Sequence, residues 1–211
     1  MKETISKSRL AIILSQLSGF DQPKVREEQY LIDSEVCASL LWNAYILNDI
    51  DKKIIVDLGC GTGILGIGAL LLGAKYAYLV DSDKKALEKA QSNFCNIKSE
   101  YPAIGKAEFI CQNIEKADIR ANTVIQNPPF GTKVKHKDTI FLKKAIETAS
   151  VVYSLHKSET LGFLERFASD NYTKITHIWN FKFPLKATFS FHRRKIHRIN
   201  VSCLRFEKVF K

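Results

Sequence analysis

A glycine-rich turn between a predicted strand and a predicted helix constrains the fold of this chain more than any other feature. The strand 53–56 leads into Asp57-Leu58-Gly59-Cys60-Gly61-Thr62-Gly63, and an apolar helical pattern follows as far as Gly73. Glycines let the chain turn tightly and let its backbone approach a ligand. A second strand, 76–80, then ends at Asp81, 18 residues beyond Gly63. This order predicts the first half of a nucleotide-binding α/β fold.

The alternation of helices and strands continues to the end of the chain. Further strands are predicted at 107–111, 123–126, 150–155, 174–180 and 199–206, with helices at 83–97, 141–149 and 161–170. Right-handed crossovers predict a Rossmann-like, mostly parallel seven-stranded sheet with helices on both faces. Two helical patterns precede the first strand, so residues 1–50 are predicted to form a short N-terminal extension. We expect residues 1–211 to form one domain with its core at 51–211.

The corner Asn127-Pro128-Pro129-Phe130 follows the predicted fourth strand directly. Two prolines cannot continue a central strand, because neither donates a ladder hydrogen bond. They make a stiff corner that carries an amide and an aromatic ring. Taken alone, such a corner is as typical of turn punctuation as of a functional site. The position of the corner favours a functional site, because the glycine loop and Asn127 both lie at the carboxyl edge of the predicted sheet, where ligands bind.

Several classes of site and location are disfavoured by composition. The five cysteines show no C-x-x-C spacing, and five histidines are scattered, so we expect neither a disulfide framework nor a metal site. A reducing cytoplasm is the expected compartment, or the nucleus in a eukaryotic cell. No apolar run is long enough to predict a membrane span. The loop also lacks both a P-loop lysine and the dinucleotide spacing that a phosphate binder would be expected to show.

Positive charge is concentrated in two places, although the net charge is only +10. From Phe181 onward there are nine lysines and arginines against one acid. A second cluster, which includes Lys133, Lys135 and Lys137, follows the prolines. Clustered cations favour a polyanionic partner, and nucleic acid is the obvious one. The predicted RNA-binding residues are Lys133, Lys135, Lys137, His156, Lys157, His192, Arg193, Arg194 and Lys195, although His156 and Lys157 could also belong to a solvated loop.

The glycine loop resembles the first motif of class I S-adenosylmethionine-dependent methyltransferases, and Asn-Pro-Pro-Phe resembles motif IV of those that methylate amino groups. The resemblance implies that Asn127 and the Pro128 carbonyl accept hydrogen bonds from the target amine, while Phe130 stacks on its ring. Asn127, Pro128, Pro129 and Phe130 are thus the predicted catalytic residues. The predicted cofactor-binding residues are Gln29, Tyr30, Asp57, Gly59, Cys60, Gly61, Thr62, Gly63, Asp81, Asn113, Ile114 and Asn127.

A narrower resemblance covers nearly the whole chain. Glu28-Gln29-Tyr30, the corner with Gly131-Thr132-Lys133, the stretch 152–158 and the late 191–195 are similar to the archaeal and eukaryotic family that makes N6-methyladenosine in small-subunit ribosomal RNA. Asn113 stands where that family usually has Asp, and Leu31-Ile32 replaces Pro-Thr. Eukaryotic members work with a small zinc-binding activator that covers a sheet edge, so such a partner is expected here.

Two other functions remain open on the sequence. A glutamine-amide methyltransferase of the release-factor type shares the motif IV chemistry, but it more typically has tyrosine at the position of Phe130 and needs no basic C-terminal segment 181–211. A non-catalytic RNA-binding module could keep the fold, but it would have no need of an intact glycine loop, Asp81 and Asn127.

Overall fold

Helices and strands largely alternate between residues 54 and 186 of the described chain, as the sequence predicts. The structure is a computed structural model that describes residues 5–24, 27–30, 32–130, 137–186 and 196–209. Its α-helices are α1 (Lys7–Ser15), α2 (Ser34–Ile46), α3 (Ile64–Leu71), α4 (Lys84–Glu100), α5 (Lys137–Thr148) and α6 (Leu161–Asp170). Its strands are β1 (Ile54–Leu58), β2 (Tyr76–Asp81), β3 (Lys106–Cys111), β4 (Thr123–Gln126), β5 (Val151–Lys157), β6 (Thr173–Lys186) and β7 (Ile196–Lys208).

The strands form one seven-stranded sheet in the order β3-β2-β1-β4-β5-β7-β6. β1 to β5 pair in parallel, whereas β7 is antiparallel to both β5 and β6. The predicted α/β class, a mostly parallel sheet of the class I methyltransferase type, is therefore confirmed. The last two strands are antiparallel to each other, because a parallel connection needs a crossover of about a dozen residues or more and only residues 187–195 separate them.

The N-terminal helices belong to the core on one face of the sheet. Asp33 caps the N-terminus of α2: its carboxylate accepts hydrogen bonds from the amides of Glu35 and Val36 and so satisfies two N–H groups that have no partner within the helix. The apolar sides of α1 and α2 bury Leu10, Leu14 and Leu41 in the same cluster as α3. The N-terminal extension therefore covers the sheet beside the glycine loop.

The other face of the sheet packs against α5 and α6. Val56, Val124 and Val152 of neighbouring strands lie in this second cluster together with Leu142 and Leu164 of the two helices. Because the central strands are buried on both sides, they are almost continuously apolar. Among the described residues, no helix combines the length and the apolar character needed to cross a membrane.

Candidate active site

Three neighbouring parallel strands bring the predicted site residues to one edge of the sheet. β1 lies between β2 and β4, so that the glycine loop, Asp81 and Asn127 meet at the carboxyl ends of these strands. This is the edge at which open α/β sheets bind ligands. A cavity here is lined by Phe20, Glu27, Glu28, Gln29, Tyr30, Ile32, Asp57, Gly59, Cys60, Gly61, Thr62, Ile64, Leu65, Asp81, Ser82, Asn127, Pro129 and Phe141.

The glycine loop needs its glycines for conformation and for close packing. Gly61 has a φ of +54°, in the left-handed region that side chains rarely adopt. A Cβ atom at this position would lie 2.8 Å from the Phe20 ring. Phe20 therefore packs directly on the backbone of the loop, and nothing in the sequence pattern had indicated this residue as part of the site.

Asp57 is buried near the end of β1, directly before the glycine loop, and contacts the helix that follows the loop. Its Oδ2 atom accepts a hydrogen bond of 2.8 Å from the Gly66 amide in the first turn of α3, which ties the strand to the helix. Its Oδ1 atom has no hydrogen-bond partner among the described residues. Burial raises the pKa of this carboxyl group to about 7, because an apolar surrounding disfavours the charged form.

Asp81 connects the end of β2 to the glycine loop. One carboxylate oxygen accepts from the Gly61 amide at 2.8 Å, and the other accepts from the Asp83 amide at 2.8 Å. Burial raises the pKa of Asp81 from its ordinary value, although these two amides favour the ionised form. A carboxylate has about four acceptor sites, so Asp81 can accept further hydrogen bonds from ligand hydroxyl groups.

The corner after β4 presents its amide side chain to the same cavity. Asn127 Oδ1 is buried and has no hydrogen-bond partner among the described residues. A buried carbonyl oxygen without a donor is costly, and a hydrogen-bond donor on a bound ligand would satisfy it. The Phe130 amide donates a 2.7 Å hydrogen bond to Glu28 Oε2, and the Phe130 ring lies 5.5 Å from that of Tyr30.

The segment between α1 and α2 crosses the cavity and is tied down at several points. Asn93 of α4 exchanges two hydrogen bonds with the backbone of Ser18, both 2.9 Å long. Lys24 forms a 2.9 Å ion pair with Asp83, and Gln29 Nε2 donates to the same carboxylate at 2.8 Å. The predicted cofactor residue Gln29 is thus held at the cavity by contacts that only the folded chain can make.

Some predicted site residues do not line this cavity. Gly63 instead begins α3, and Ile114 is buried in the second core cluster. Asn113 lies beyond β3, where its side chain accepts a hydrogen bond from the Glu115 amide and caps a short 3-10 helix. Pro128 and Phe130 belong to the corner but are not part of the cavity wall.

The predicted RNA-binding residues are only partly within the described chain. Lys133, Lys135 and the run His192, Arg193, Arg194 and Lys195 lie outside it, as does the Lys137 side chain. Lys157 is partly exposed and forms a 3.6 Å ion pair with Glu159.

The prediction of RNA contact at His156 is wrong for the described structure, because this residue of β5 is only 2% exposed. The strand extends two residues further than the sequence pattern indicates, so that His156 pairs with Ser202 of β7. His156 Nε2 and Ser154 Oγ form a hydrogen bond of 2.7 Å. Burial lowers the pKa of His156 to about 3.

The described residues contain neither a thiolate in the cavity nor a cluster of metal ligands. Cys60 lines the cavity, but burial raises the pKa of its thiol well above the ordinary value, so that it stays protonated. No group of three or more His, Cys, Asp or Glu side chains that could hold a metal ion occurs among the residues the structure describes.

Comparison with known proteins agrees with this geometry. The methyltransferase small domain family matches residues 35–155. The Danio rerio protein named rRNA N(6)-adenosine-methyltransferase METTL5 is 36% identical over 92% of this chain and 94% of its own length. The Drosophila melanogaster protein of the same name is 31% identical over 94% of this chain and 95% of its own length.

A solved structure extends the likeness to three dimensions. The crystal structure of PH1948 from Pyrococcus horikoshii, a proposed RNA methyltransferase, superposes with a TM-score of 0.89 and 42% identity, covering 99% of this chain and 100% of that one. The chain therefore belongs to the methyltransferase small domain family, in the group that contains these METTL5 relatives.

Proposed function

We propose that this protein transfers a methyl group from S-adenosylmethionine to N6 of an adenosine in RNA, with small-subunit ribosomal RNA as the substrate. One observation carries the proposal: Asn127 Oδ1 is buried and unpartnered among the described residues, in the same cavity as the glycine loop and Asp81. The METTL5 relatives are named as ribosomal RNA N6-adenosine methyltransferases, which supports the same substrate.

The residues around the cavity fit S-adenosylmethionine. Gly59 and Gly61 of the glycine loop line the cavity, and the lack of a side chain at these positions lets a ligand approach the backbone. Asp81 would accept hydrogen bonds from the ribose hydroxyls, and Gln29 would help to hold the methionine end. Asn113, at the same sheet edge beyond β3, would accept from the adenine amine. The bound cofactor supplies an electrophilic methyl group on a sulfonium centre.

The corner would act on the target amine by orientation and polar preorganisation. The exocyclic amine of adenine is a weak nucleophile, because its lone pair is conjugated with the ring. Asn127 Oδ1 and the Pro128 carbonyl would each accept one of its hydrogens and so direct the lone pair toward the methyl group. Pro129 keeps this corner stiff. No strong general base is required, since the amine loses its proton to solvent after transfer.

Phe130 would hold the plane of the target base. Stacking of a nucleobase on an aromatic ring contributes about 1–3 kcal/mol. A paired adenosine would have to leave its helix to reach the corner, because the reacting amine is otherwise part of the base stack.

Labelled-methyl transfer tests the proposal. Purified protein and S-adenosylmethionine are incubated with small-subunit ribosomal RNA or with release-factor protein, and the modified unit is mapped. We expect N6-methyladenosine in the RNA and no methyl-glutamine. Transfer to protein alone would favour the glutamine-amide alternative. Absence of both transfer and cofactor binding in calorimetry would favour a non-catalytic RNA-binding module.

The RNA would be held by the two basic clusters. Lys133, Lys135 and Lys137 follow the corner in sequence, and His192, Arg193, Arg194 and Lys195 lie between β6 and β7. Phosphate contacts by lysine and arginine position a nucleic acid without reading its bases. Lys157 lies at the carboxyl end of β5, the strand parallel to β4, and would add a further contact at the sheet edge where the corner begins.

A small zinc-binding activator is the partner that we propose for this protein. β3 and β6 are the outermost strands, and among the described residues no strand pairs with the outer side of either one. Unpaired edge strands offer backbone donors and acceptors to another chain. Co-purification with such an activator, followed by size-exclusion chromatography, would test for a stable one-to-one complex.

The cytoplasm, or the nucleus of a eukaryotic cell, is the location that we propose. Cys95 and Cys111 are exposed and unpaired as disulfides, which suits a reducing compartment.

A further inference from the structure

We infer that Glu28 is a positioning residue for methyl transfer, because its carboxylate holds the backbone of the corner at Phe130 from the side of the cofactor cavity. The kinetic part of this inference rests on the proposed function, in which Phe130 stacks on the target base. Its structural part concerns one hydrogen bond, from the Phe130 amide to Glu28 Oε2, with a length of 2.7 Å.

The corner has few backbone N–H donors that could hold it in place. Proline has no N–H group, so neither Pro128 nor Pro129 can donate a hydrogen bond. Phe130 supplies the first backbone donor after Asn127, and this donor is used on Glu28, 102 positions earlier in the chain. A hydrogen bond to a carboxylate is roughly twice as strong as one between neutral groups. Glu28 therefore fixes the point at which the aromatic ring leaves the corner.

The neighbours of Glu28 strengthen this contact. Tyr30 places its ring 5.5 Å from the Phe130 ring, so the backbone and the side chain of Phe130 are both held by one short segment. Glu28 itself has a φ of +52°, a conformation that is uncommon outside glycine. Backbone strain of this kind persists where the surrounding structure requires it, and it is frequent at functional sites.

The same segment also contacts the cofactor side of the cavity. Gln29, between Glu28 and Tyr30, donates a hydrogen bond to Asp83 at the beginning of α4. Lys24 forms an ion pair with the same carboxylate. Residues 28–30 thus join the cofactor-binding edge to the predicted base-stacking ring. Loss of the Glu28 carboxylate would release the ring while these contacts to α4 remain.

Two conservative variants distinguish the effect of the Glu28 side-chain length from the effect of its charge. Glu28→Gln keeps the length of the side chain and an acceptor oxygen, whereas Glu28→Asp keeps the charge but is one methylene shorter. Asp tolerates positive φ well, so this variant should fold. Glu35→Ala serves as the control, because Glu35 is an exposed acid of α2 whose side chain does not line the cavity.

The first measurement is steady-state methylation of RNA together with cofactor affinity. We expect Glu28→Asp to lower kcat/KM for RNA at least tenfold while the Kd of S-adenosylmethionine changes less than threefold. Glu28→Gln should keep a third or more of the wild-type kcat/KM, and Glu35→Ala should match the wild type. A purely structural role predicts instead that kcat falls in proportion to the folded fraction, with KM unchanged, and that result would overturn the inference.

The second measurement needs no enzymatic activity. In the corner 127–130 only Asn127 and Phe130 carry backbone N–H groups, so the assigned Phe130 amide signal in NMR reports hydrogen exchange at the end of the corner. Exchange at Phe130 should be at least tenfold faster in Glu28→Asp than in the wild type, and unchanged in Glu35→Ala. Equal exchange in Glu28→Asp and wild type would refute the role of Glu28. If the wild type methylates no RNA, the proposed function fails, but the exchange result still decides the contact.

Discussion

Arg205 of β7 forms an ion pair with Asp49, a residue 156 positions earlier in the turn before β1. The guanidinium Nε atom lies 2.8 Å from Asp49 Oδ2, and the Tyr153 hydroxyl donates to the same oxygen at 2.6 Å. All three side chains are buried. The contact joins the N-terminal extension, the centre of the sheet and the C-terminal hairpin.

Removal of Asp49 should destabilise the protein more than removal of the Tyr153 hydroxyl. Asp49→Ala removes the closer of the two carboxylates from buried Arg205 and leaves Glu207, 3.2 Å from Nη1, so we expect a loss of about 3 kcal/mol, the lower end of the cost of breaking a buried pair. Tyr153→Phe removes one donor, and we expect a loss of about 1–2 kcal/mol. Urea unfolding of both variants measures the difference. Equal losses would show that solvent already screens the pair.

Asn127→Ala should nearly abolish methyl transfer and leave the cofactor bound. The variant removes one of the two acceptors for the target amine, and loss of a preorganised polar contact of this kind reduces kcat by roughly 10²–10³-fold. Single-turnover methylation measures the rate, and calorimetry with S-adenosylmethionine serves as the control. Unchanged turnover would contradict the positioning mechanism.

The stability of the protein should depend on pH through His156. Burial lowers the pKa of His156 to about 3, below the value of about 6.5 in an unfolded chain. The unfolded chain therefore binds the extra proton first, and stability present above pH 6.5 is lost as the pH falls toward 3. Over the two units below pH 6.5 this loss amounts to about 2 kcal/mol.

His156→Gln removes this titration and keeps a polar group near Ser154. We expect its unfolding free energy to fall less than that of the wild type between pH 7 and pH 4.5, as followed by urea unfolding at each pH. Other groups titrate equally in both proteins, and the difference between the two curves isolates His156. Parallel curves would mean that His156 titrates normally in the folded state.

Charge removal at Arg193, Arg194 and Lys195 should weaken RNA binding in a salt-dependent way. Each phosphate contact contributes about 0.7–0.9 to the slope of log K against log salt, so a triple Gln variant should flatten the slope by about 2–3. Lys106→Gln is a single-charge control, because Lys106 begins β3, the edge strand opposite to β6. Fluorescence anisotropy at several salt concentrations gives both slopes. An unaltered slope in the triple variant would exclude this run from the RNA footprint.

Much of the fold and of the cofactor edge follows from local patterns in the sequence. Strand 53–56, the loop to Gly63 and Asp81 are separated by spacings that the βα unit imposes, and so their meeting at one sheet edge is predictable. Asn127 is predictable for the same reason, because prolines end its strand at that edge. The antiparallel direction of β7 and the burial of His156 were harder to predict, since both depend on how the last two strands close the sheet.

The sequence by itself determined which chemical groups stand at the ends of the strands, because strand ends, glycines and prolines are local features. Only the tertiary structure decided what reaches those groups from elsewhere in the chain. Phe20 packs on Gly61, Glu28 holds the Phe130 amide, and Asp49 pairs with Arg205. Such contacts join residues far apart in sequence, and their partners are chosen by packing and by the need to satisfy buried polar groups. No periodicity of the sequence encodes that choice.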